Sequence, residues 1–259
     1  NGSVFCWGNN SDYEFGNGTN IQSLVPTIAM NSTSFSSPTI LSLSAGNKHA
    51  CAIDGNNKLY CWGANDSGQL GIGNTASQNA PTEIDTTNVG VSNNFRKVST
   101  SWSHTCAIHD NNKLYCWGNN NYGFLGIGNE VVQTSPVEVA FTSIGFTNQI
   151  KDVDVGISGT CAIDMNNKGF CWGDNTWGEL GIGFMGNYYN LPQQIEDMPP
   201  EYARFKTLKA AHGRHTCGIG TNGKTYCWVF NTAGQLGNGT SIMISSHPMD
   251  LEVNVTNVQ

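Results

Sequence analysis

Charged residues are scarce in this sequence, since Asp, Glu, Lys and Arg make up 12% of its 259 residues. Only 12 residues are Lys or Arg, the formal net charge is −7, and no basic run is present. Binding to nucleic acid or to an anionic membrane is therefore not expected. The sequence also lacks the uninterrupted apolar stretch that a transmembrane helix needs. It begins at Asn1 without a Met or a signal-peptide pattern, and we expect a processed chain or a segment of a longer one.

A repeat of about 55 residues is the dominant feature of what is present. Each copy carries the tripeptide Cys-Trp-Gly, at Cys6, Cys61, Cys116 and Cys171, and a fifth copy is altered to Cys-Trp-Val at Cys227. Repeats of this length indicate an array of small units, each packed on its neighbours. We divide the chain, as one domain (1–259), into units of about 1–39, 40–94, 95–149, 150–204 and 205–259.

Each unit has the pattern of a four-stranded β sheet. In the unit that starts at residue 95, the segments 95–99, 104–108, 113–117 and 136–139 read as strands. Turn residues separate the first three, and a glycine-rich stretch precedes the fourth. Four strands per unit, with hairpins and no helical period, predict an all-β fold of propeller blades. A β-helix is less favoured because its repeats are usually shorter and lack paired hairpin turns.

Eight of the nine cysteines form four pairs with identical spacing, each pair flanking a turn signal. In an antiparallel hairpin, opposed Cα atoms lie roughly 4.5–5.5 Å apart, a separation that a disulfide accepts. Reduced thiols are an alternative, and a zinc site is disfavoured because zinc ligands are usually spaced more closely. Disulfides indicate an oxidising compartment, so we expect an extracellular or cell-surface protein. The predicted disulfide residues are Cys51 with Cys61, Cys106 with Cys116, Cys161 with Cys171, and Cys217 with Cys227.

Asn-x-Ser/Thr triplets support the same compartment. In a eukaryotic secretory pathway several of them would carry glycans. The seven glycosylation candidates are Asn1, Asn9, Asn17, Asn31, Asn65, Asn238 and Asn254.

The second unit resembles the regulator of chromosome condensation repeat. Residues 44–53 read SAGNKHACAI, residues 59–65 read LYCWGAN, and residues 68–73 read GQLGIG. The resemblance recurs along nearly the whole chain and implies a β-propeller, commonly of seven blades. The paired cysteines depart from the nuclear founder of the family and look like its secreted and cell-surface versions.

The two halves of the repeat do not occur in equal number. There are five copies of the Cys-Trp-Gly half and four of the half that reads His-Thr-Cys-Ala-Ile or a variant of it. The chain is therefore expected to hold four complete blades and part of a fifth. A partner for Cys6, ten positions earlier, would precede residue 1. Either further blades lie outside residues 1–259, so that the chain is a segment of a seven-bladed ring, or a neighbouring chain supplies the missing strands at an open edge. We predict that Cys6 is unpaired or bonded to a group outside residues 1–259.

Residues that repeat at one blade position are interpreted as structural. His49, His104 and His215 share one position and are expected to make hydrogen bonds within their blades. The repeated tryptophans, Trp7 included, are expected to pack between blades, and the glycine-rich stretches to form bends and not a phosphate cradle. No nucleophile–base–acid set stands out. We therefore predict no catalytic residue, no enzymatic activity, no cofactor and no metal site.

Candidate contact residues come from positions where the repeats differ. Aromatic residues and Met are enriched at the centres of interfaces, although burial under an adjacent blade explains the loop at 184–191 equally well. The interaction candidates are Trp102, Tyr122, Trp177, Phe184, Met185, Tyr188 and Tyr189.

The favoured function is a non-enzymatic extracellular protein–protein interaction or assembly module, such as the propeller of a surface, filament or matrix protein. Its partner would be another protein or copies of itself, bound through loops and the open terminal edge. The alternative is a glycan-binding, lectin-like propeller, since exposed aromatic residues beside Asn and Asp suit sugars. Guanine-nucleotide exchange on a small GTPase, by analogy with the family founder, is the least favoured function because it rests on fold resemblance alone.

Overall fold

The computed structural model describes residues 3–29, 35–141, 149–195, 204–210, 215–229, 231–237, 239, 241 and 245–251. These residues form 18 β-strands and one short 3₁₀ turn, Asn121–Gly123. No helix within these ranges is long and apolar enough to cross a membrane. Because the described elements are strands apart from one short turn, the prediction of an all-β fold is confirmed.

The strands form four complete blades and one partial blade, as the count of half-repeats predicts. In each complete blade four antiparallel strands, here A to D, follow one another in chain order. Blade 1 consists of a C and a D strand: β1 (Phe5–Gly8) and β2 (Ser23–Ile28). Blade 2 consists of β3 (Ile40–Ala45), β4 (His49–Asp54), β5 (Leu59–Gly63) and β6 (Gln78–Glu83). Blade 3 consists of β7 (Phe95–Thr100), β8 (His104–His109), β9 (Leu114–Gly118) and β10 (Gln133–Glu138). Blade 4 consists of β11 (Ile150–Val155), β12 (Gly159–Asp164), β13 (Gly169–Asp174) and β14 (Tyr188–Gln194). Blade 5 consists of β15 (Phe205–Ala210), β16 (His215–Gly220), β17 (Thr225–Val229) and β18 (Ser245–Asp250).

This topology puts the A–B turns and the C–D loops at the same end of every blade, because neighbouring strands run antiparallel. Main-chain hydrogen bonds join the two, for example from Asn119 N–H to the Ser103 oxygen and from Asp174 N–H to the Ser158 oxygen. We call this end of the array the loop face. The B–C turns lie at the opposite end.

In blades 2 to 5, a tryptophan side chain contacts a glycine of the preceding blade. The Trp172 side chain is fully buried, and its Nε1 donates to the Phe124 main-chain oxygen of blade 3 at 2.9 Å. Gly126 lies against the same indole, at φ +69°, so closely that a Cβ there would stand 2.6 Å from Nε1. Glycine is needed at this position both for its left-handed backbone and for the close approach. Blades 2, 3 and 5 repeat the bond through Trp62, Trp117 and Trp228.

Apolar side chains complete the packing between blades. The cluster between blades 3 and 4 contains Ile108, Leu114, Ile150, Val153 and Phe170, all at most 1% exposed. The hydrophobic core is therefore divided into layers, one at each blade junction, as expected for a repeat protein whose units contact their neighbours.

Candidate functional site

The paired cysteines form four disulfides, each across the B and C strands of one blade. The two cysteines of each pair are directly opposed in the strand register, and their Cα atoms are 4.1 Å apart. Cys6 on β1 is the free cysteine of the described residues. Burial raises the pKa of its thiol, because a low-dielectric environment disfavours the thiolate.

The repeated histidines connect neighbouring blades. His49 Nε2 lies 2.9 Å from Thr105 Oγ1, and His104 Nε2 lies 3.0 Å from Thr160 Oγ1. Thr160 Oγ1 also donates to the Phe124 oxygen. Since a hydroxyl has one proton, Nε2 of His104 must be the donor to Thr160. The prediction that these histidines make hydrogen bonds within their own blades is thus wrong for Nε2 of His49 and His104, which bonds to a threonine of the next blade.

Burial keeps both of these histidines neutral. It lowers the pKa of His49 to about 4 and that of His104 to about 3, because a charged imidazolium would lose its hydration inside the protein. Among the described residues, no group of three or more His, Cys, Asp or Glu side chains could hold a metal ion. These histidines therefore have a structural role in the junctions between blades.

The two histidines differ at Nδ1. In blade 3, His104 Nδ1 lies 2.9 Å from Ser101 Oγ. The equivalent of Ser101 in blade 2 is Gly46, and His49 Nδ1 is buried with no hydrogen-bond partner among the described residues. Because Thr105 Oγ1 donates to the Gln69 oxygen, His49 donates through Nε2 and its Nδ1 is an unprotonated acceptor. At this position the sequence has Gly46 in blade 2, Ser101 in blade 3 and Gly156 in blade 4, and this variation is the signal that could have revealed the difference.

Aromatic candidates come together on the loop face, at the junction of blades 3 and 4. The rings of Tyr122 and Tyr188 meet edge to face with centroids 5.9 Å apart, and each is about half exposed. Phe184 and Tyr189 form a second pair at 6.2 Å. Tyr189 packs on the core cluster between blades 4 and 5, so for this residue burial is the better explanation.

The remaining interaction candidates lie on the same face. Met185 and Trp177 are exposed in the C–D loop of blade 4, and Trp102 is exposed in the A–B turn of blade 3. We define the aromatic face by its exposed large side chains, which are Trp102, Tyr122, Trp177, Phe184, Met185 and Tyr188.

A polar groove borders the aromatic face. Its volume is about 430 Å³, and its lining includes Glu130, Asn187, Tyr188, Asn190 and Gln193. The carboxylate of Glu130 accepts a hydrogen bond from Tyr188, which raises the pKa of that phenol. The groove therefore combines an aromatic side chain with a carboxylate and several amides.

The sequons differ in accessibility. Asn9 is exposed and Asn17 is half-buried, whereas Asn65 is fully buried. Asn65 Nδ2, the atom to which a glycan would be attached, donates to the Asn74 and Ala76 oxygens. The folded domain cannot accommodate a glycan there, so Asn65 is a structural residue. Asn1, Asn31, Asn238 and Asn254 lie outside the described residues.

Asn65 belongs to a set of buried asparagines that the sequence analysis missed. Its Oδ1 accepts from Leu70 N–H, and its amide group organises the C–D loop. One such asparagine follows the Cys-Trp element in every blade, and this repetition was the available signal. The set is Asn10, Asn65, Asn120, Asn175 and Asn231.

Blade 1 presents the largest concentration of exposed apolar side chains. Trp7, the counterpart of the buried tryptophans, is 63% exposed. The described part of residues 1–259 contains no loop that occupies the preceding-blade position beside it, so the expectation that Trp7 packs between blades stays a prediction. The exposed large apolar residues of blade 1 and of the neighbouring A strand are Phe5, Trp7, Ile21, Leu24, Val25, Ile28, Leu41 and Leu43.

Comparison with known proteins agrees with this architecture. The family model described as "Regulator of chromosome condensation (RCC1) repeat" matches residues 1–53, 56–108 and 111–163. A second model of the same description matches residues 40–69 and 95–123. The chain belongs to the RCC1 repeat family. Each of the three repeats matched by the first model runs from the C strand of one blade to the B strand of the next.

Two curated relatives illustrate the range of proteins that contain RCC1 repeats. The Ultraviolet-B receptor UVR8 of Arabidopsis thaliana is 28% identical over 246 residues, covering 93% of this chain and 52% of the relative. The X-linked retinitis pigmentosa GTPase regulator of Homo sapiens is 32% identical over 154 residues, covering 59% of this chain and 14% of the relative. The chain thus spans about half of the first relative and a small part of the second.

Solved structures share the RCC1 fold. The crystal structure of human WBSCR16 superposes with a TM-score of 0.81 at 21% identity, covering 97% of this chain and 63% of the other. A structure of Kap60 bound to yeast RCC1 (Prp20) gives a TM-score of 0.79 at 20% identity, covering 98% of this chain and 58% of the other. At these identities the likeness shows the fold, which is that of an RCC1-type β-propeller.

Proposed function

We propose that this RCC1-repeat chain is a non-enzymatic, extracellular protein-interaction module that binds its partner through the aromatic face. The observation that carries the proposal is the contact of Tyr122 with Tyr188 across the junction of two blades. Tyr122 lies in the 3₁₀ turn of blade 3 and Tyr188 is the first residue of β14, and both rings are about half exposed. Rigid, exposed aromatic side chains supply large contact area at low entropic cost, which is typical of binding hot spots.

The compartment is inferred from the disulfides. Four of them span the B and C strands of successive blades, and such bonds persist in oxidising environments and are rare in the cytosol. Secretion through a eukaryotic pathway would also expose Asn9 and Asn17 to glycosylation. Asn9 and Asn17 both lie in the C–D loop of blade 1, whereas the residues of the aromatic face belong to blades 3 and 4.

The direct test is affinity capture with a matched pair of variants. The intact chain, immobilised, is exposed to secreted and surface proteins of its source, and captured proteins are quantified by mass spectrometry. Tyr122→Ala with Tyr188→Ala is expected to reduce capture of the specific partner at least about tenfold, the loss that one or two hot-spot residues produce. Met165→Ala is the control, because Met165 is exposed in a B–C turn at the opposite end. Equal capture by both variants would contradict the proposed face.

A glycan ligand is the second candidate, favoured by the groove beside the aromatic face. Glu130, Asn190 and Gln193 provide carboxylate and amide groups next to Tyr188, and sugars combine hydroxyls with apolar ring faces that such a mixture suits. A glycan array probed with the native chain and with Glu130→Gln separates the two candidates. Binding that depends on Glu130 and needs no protein partner favours the glycan.

A further inference from the structure

The polar groove beside the aromatic face contains two residues that depart from the repeat. Glu130 lies in the C–D loop of blade 3, at the position of Thr75 in blade 2 and Met185 in blade 4. Tyr188 is the first residue of β14 in blade 4, and its equivalent in blade 3 is Val132. Both Glu130 and Tyr188 are exposed. A side chain that the packing of the repeat required would recur in other blades and be buried, so packing does not explain this pair.

Glu130 and Tyr188 meet across the junction of blades 3 and 4. The Glu130 carboxylate accepts a hydrogen bond from the Tyr188 phenol, which raises the pKa of that phenol. The ring of Tyr122 packs edge to face on the ring of Tyr188, with centroids 5.9 Å apart. The groove therefore presents a carboxylate next to an exposed aromatic pair.

Main-chain contacts set the position of the C–D loop of blade 3 beside the groove. Gly128 N–H donates to the oxygen of Asn190 in β14 at 2.9 Å. Gly123, at φ +72°, lies so close to Asn190 that a Cβ there would stand 2.3 Å from the Asn190 Cα. Glycine is needed at this position for the close approach of the two chains. The groove is thus formed before a ligand arrives, which lowers the entropic cost of binding.

The charges around the groove favour a cationic ligand. The loop-face segments of blades 3 and 4 contain three carboxylates, Glu130, Asp174 and Glu179, and neither Lys nor Arg. Asp174 and Glu179 accept hydrogen bonds from N–H groups of their own C–D loop, and Asp174 is directly opposite Tyr188 in the strand register. Coulombic attraction at this face therefore acts on positive groups of a partner. The segments counted are 101–103, 119–132, 156–158 and 174–187.

An arginine side chain matches this combination of groups. Its guanidinium is planar, always charged and carries five N–H donors, so it can stack on an aromatic ring and donate to a carboxylate at the same time. Lysine has the charge but no plane to stack. A neutral sugar can use the ring and the amide groups but gains no Coulombic attraction from the carboxylates.

We propose that this groove binds an arginine side chain of the partner protein, with the guanidinium stacked on the ring of Tyr188 and donating to the carboxylate of Glu130. The inference rests on the proposed function, because the partner is the protein that binds the aromatic face. Asn187, Asn190 and Gln193 line the groove and provide further amide groups. Its volume of about 430 Å³ lies within the range of about 300–1,000 Å³ that is typical of ligand sites.

Three blocked pentapeptides test the site with the intact chain. Each has two glycines on either side of a central residue, which is arginine, citrulline or lysine. Citrulline has nearly the shape of arginine but no charge, so it is the matched control. Titrations followed by the NMR signals of the Tyr122 and Tyr188 rings give the dissociation constants. We expect the arginine peptide to bind at least about tenfold more tightly than the citrulline peptide, equivalent to roughly 1.4 kcal/mol, with the lysine peptide between them.

Variants of the chain assign the binding to the two residues. Glu130→Gln is expected to weaken arginine binding about tenfold, because the charge-assisted hydrogen bonds are lost. Tyr188→Leu is expected to weaken it severalfold, because the ring is lost while an apolar side chain remains. Asp66→Asn is the control for net charge, since Asp66 is an exposed carboxylate in the C–D loop of blade 2, and it should leave the affinity unchanged. Added salt should weaken arginine binding by screening.

Several outcomes would overturn the proposal. They are equal affinities for the arginine and citrulline peptides, an affinity unchanged by Glu130→Gln, and no shift of the tyrosine signals at roughly 10 mM peptide, which detects millimolar binding. Binding of a neutral oligosaccharide that is lost in Glu130→Gln, without discrimination between arginine and citrulline, would assign the groove to a glycan instead.

Affinity capture separates failure of the arginine site from failure of the proposed function. If Tyr122→Ala with Tyr188→Ala abolishes capture of a partner protein and Glu130→Gln does not reduce it, the aromatic face binds a protein and the arginine site is refuted. If neither variant changes capture, both proposals fail. We expect both variants to reduce it.

Discussion

His104 and Thr160 belong to different blades, yet the imidazole Nε2 of one lies 3.0 Å from the hydroxyl of the other. Both side chains are buried, and the same hydroxyl also donates to the Phe124 oxygen. At the next junction Gly159 replaces the histidine, and Thr216 bonds to the Glu179 oxygen. The chain therefore contains a junction with the His–Thr bond and one without it.

This pair of junctions gives a stability prediction. Thr160→Val removes a hydroxyl with two partners and leaves His104 Nε2 without an acceptor, which costs about 1–3 kcal/mol. Thr216→Val loses one bond and is expected to cost less. Urea unfolding of both variants measures the difference in free energy of unfolding, and equal losses would show that the His–Thr bond contributes nothing.

Stability should fall in mild acid because of the same histidines. Burial lowers the pKa of His49 to about 4 and that of His104 to about 3, whereas a histidine in the unfolded chain has a pKa near 6.5. Below pH 6.5 the unfolded state binds more protons than the folded state. The stability that the two neutral histidines contribute is therefore fully present above pH 6.5 and is lost as the pH falls towards 4 and then 3. At pH 4.5, about two units below the unfolded pKa, the loss is about 3 kcal/mol for each histidine. Unfolding midpoints at pH 7.5 and 4.5 measure it, and His104→Gln should reduce the slope.

Gly126 and Gly237 offer a matched test of the tryptophan junction. They occupy the same turn position at φ +69° and +64°, but a Cβ on Gly126 meets Trp172 whereas one on Gly237 has no described atom within 4 Å. Gly126→Ala is expected to cost about 1–3 kcal/mol more than Gly237→Ala, because overpacking adds to the shared backbone strain. Thermal unfolding of both variants measures this difference.

Cys6 should be the cysteine of residues 1–259 that alkylates in the unreduced, folded chain. Burial raises the pKa of its thiol, so its rate with iodoacetamide should continue to rise at pH values where an exposed cysteine is already fully ionised, as the thiolate forms. Peptide mapping before and after reduction checks the assignment. Labelling of any of the other eight cysteines in unreduced, folded protein would contradict the four disulfides.

Asn9 and Asn65 should respond in opposite ways to substitution. Asn9→Gln, in protein secreted by eukaryotic cells, is expected to remove one glycan mass and to change stability by less than about 0.5 kcal/mol, because the hydrogen bonds of Asn9 with Ser11 and Glu14 are solvent-exposed. Asn65→Ala is expected to leave glycan mass unchanged and to cost more than about 1 kcal/mol, because three buried hydrogen bonds are lost. Intact mass and urea unfolding of the two variants provide both readouts.

Much of the fold followed from local sequence. The turn residues between Cys106 and Cys116 determine a hairpin, and a strand period of two places the cysteines opposite each other. The count of half-repeats predicted the partial blade. The candidate surface was only partly predictable: Tyr122 and Tyr188 lie far apart in sequence and meet because adjacent blades bring their loops together.

By itself, the sequence determined the repeat, the strands, the cysteine register and the missing half-blade, because each depends on local periodicity. The tertiary structure decided whether residues at the same repeat position are buried or exposed and which residues they contact. Trp7 and Trp62 share the tripeptide Cys-Trp-Gly, yet one is exposed and the other buried, since burial requires a loop from the preceding blade. The Nε2 partners of His49 and His104 were likewise decided by tertiary structure, because Thr105 and Thr160 lie 56 residues further along the chain, on the neighbouring blade.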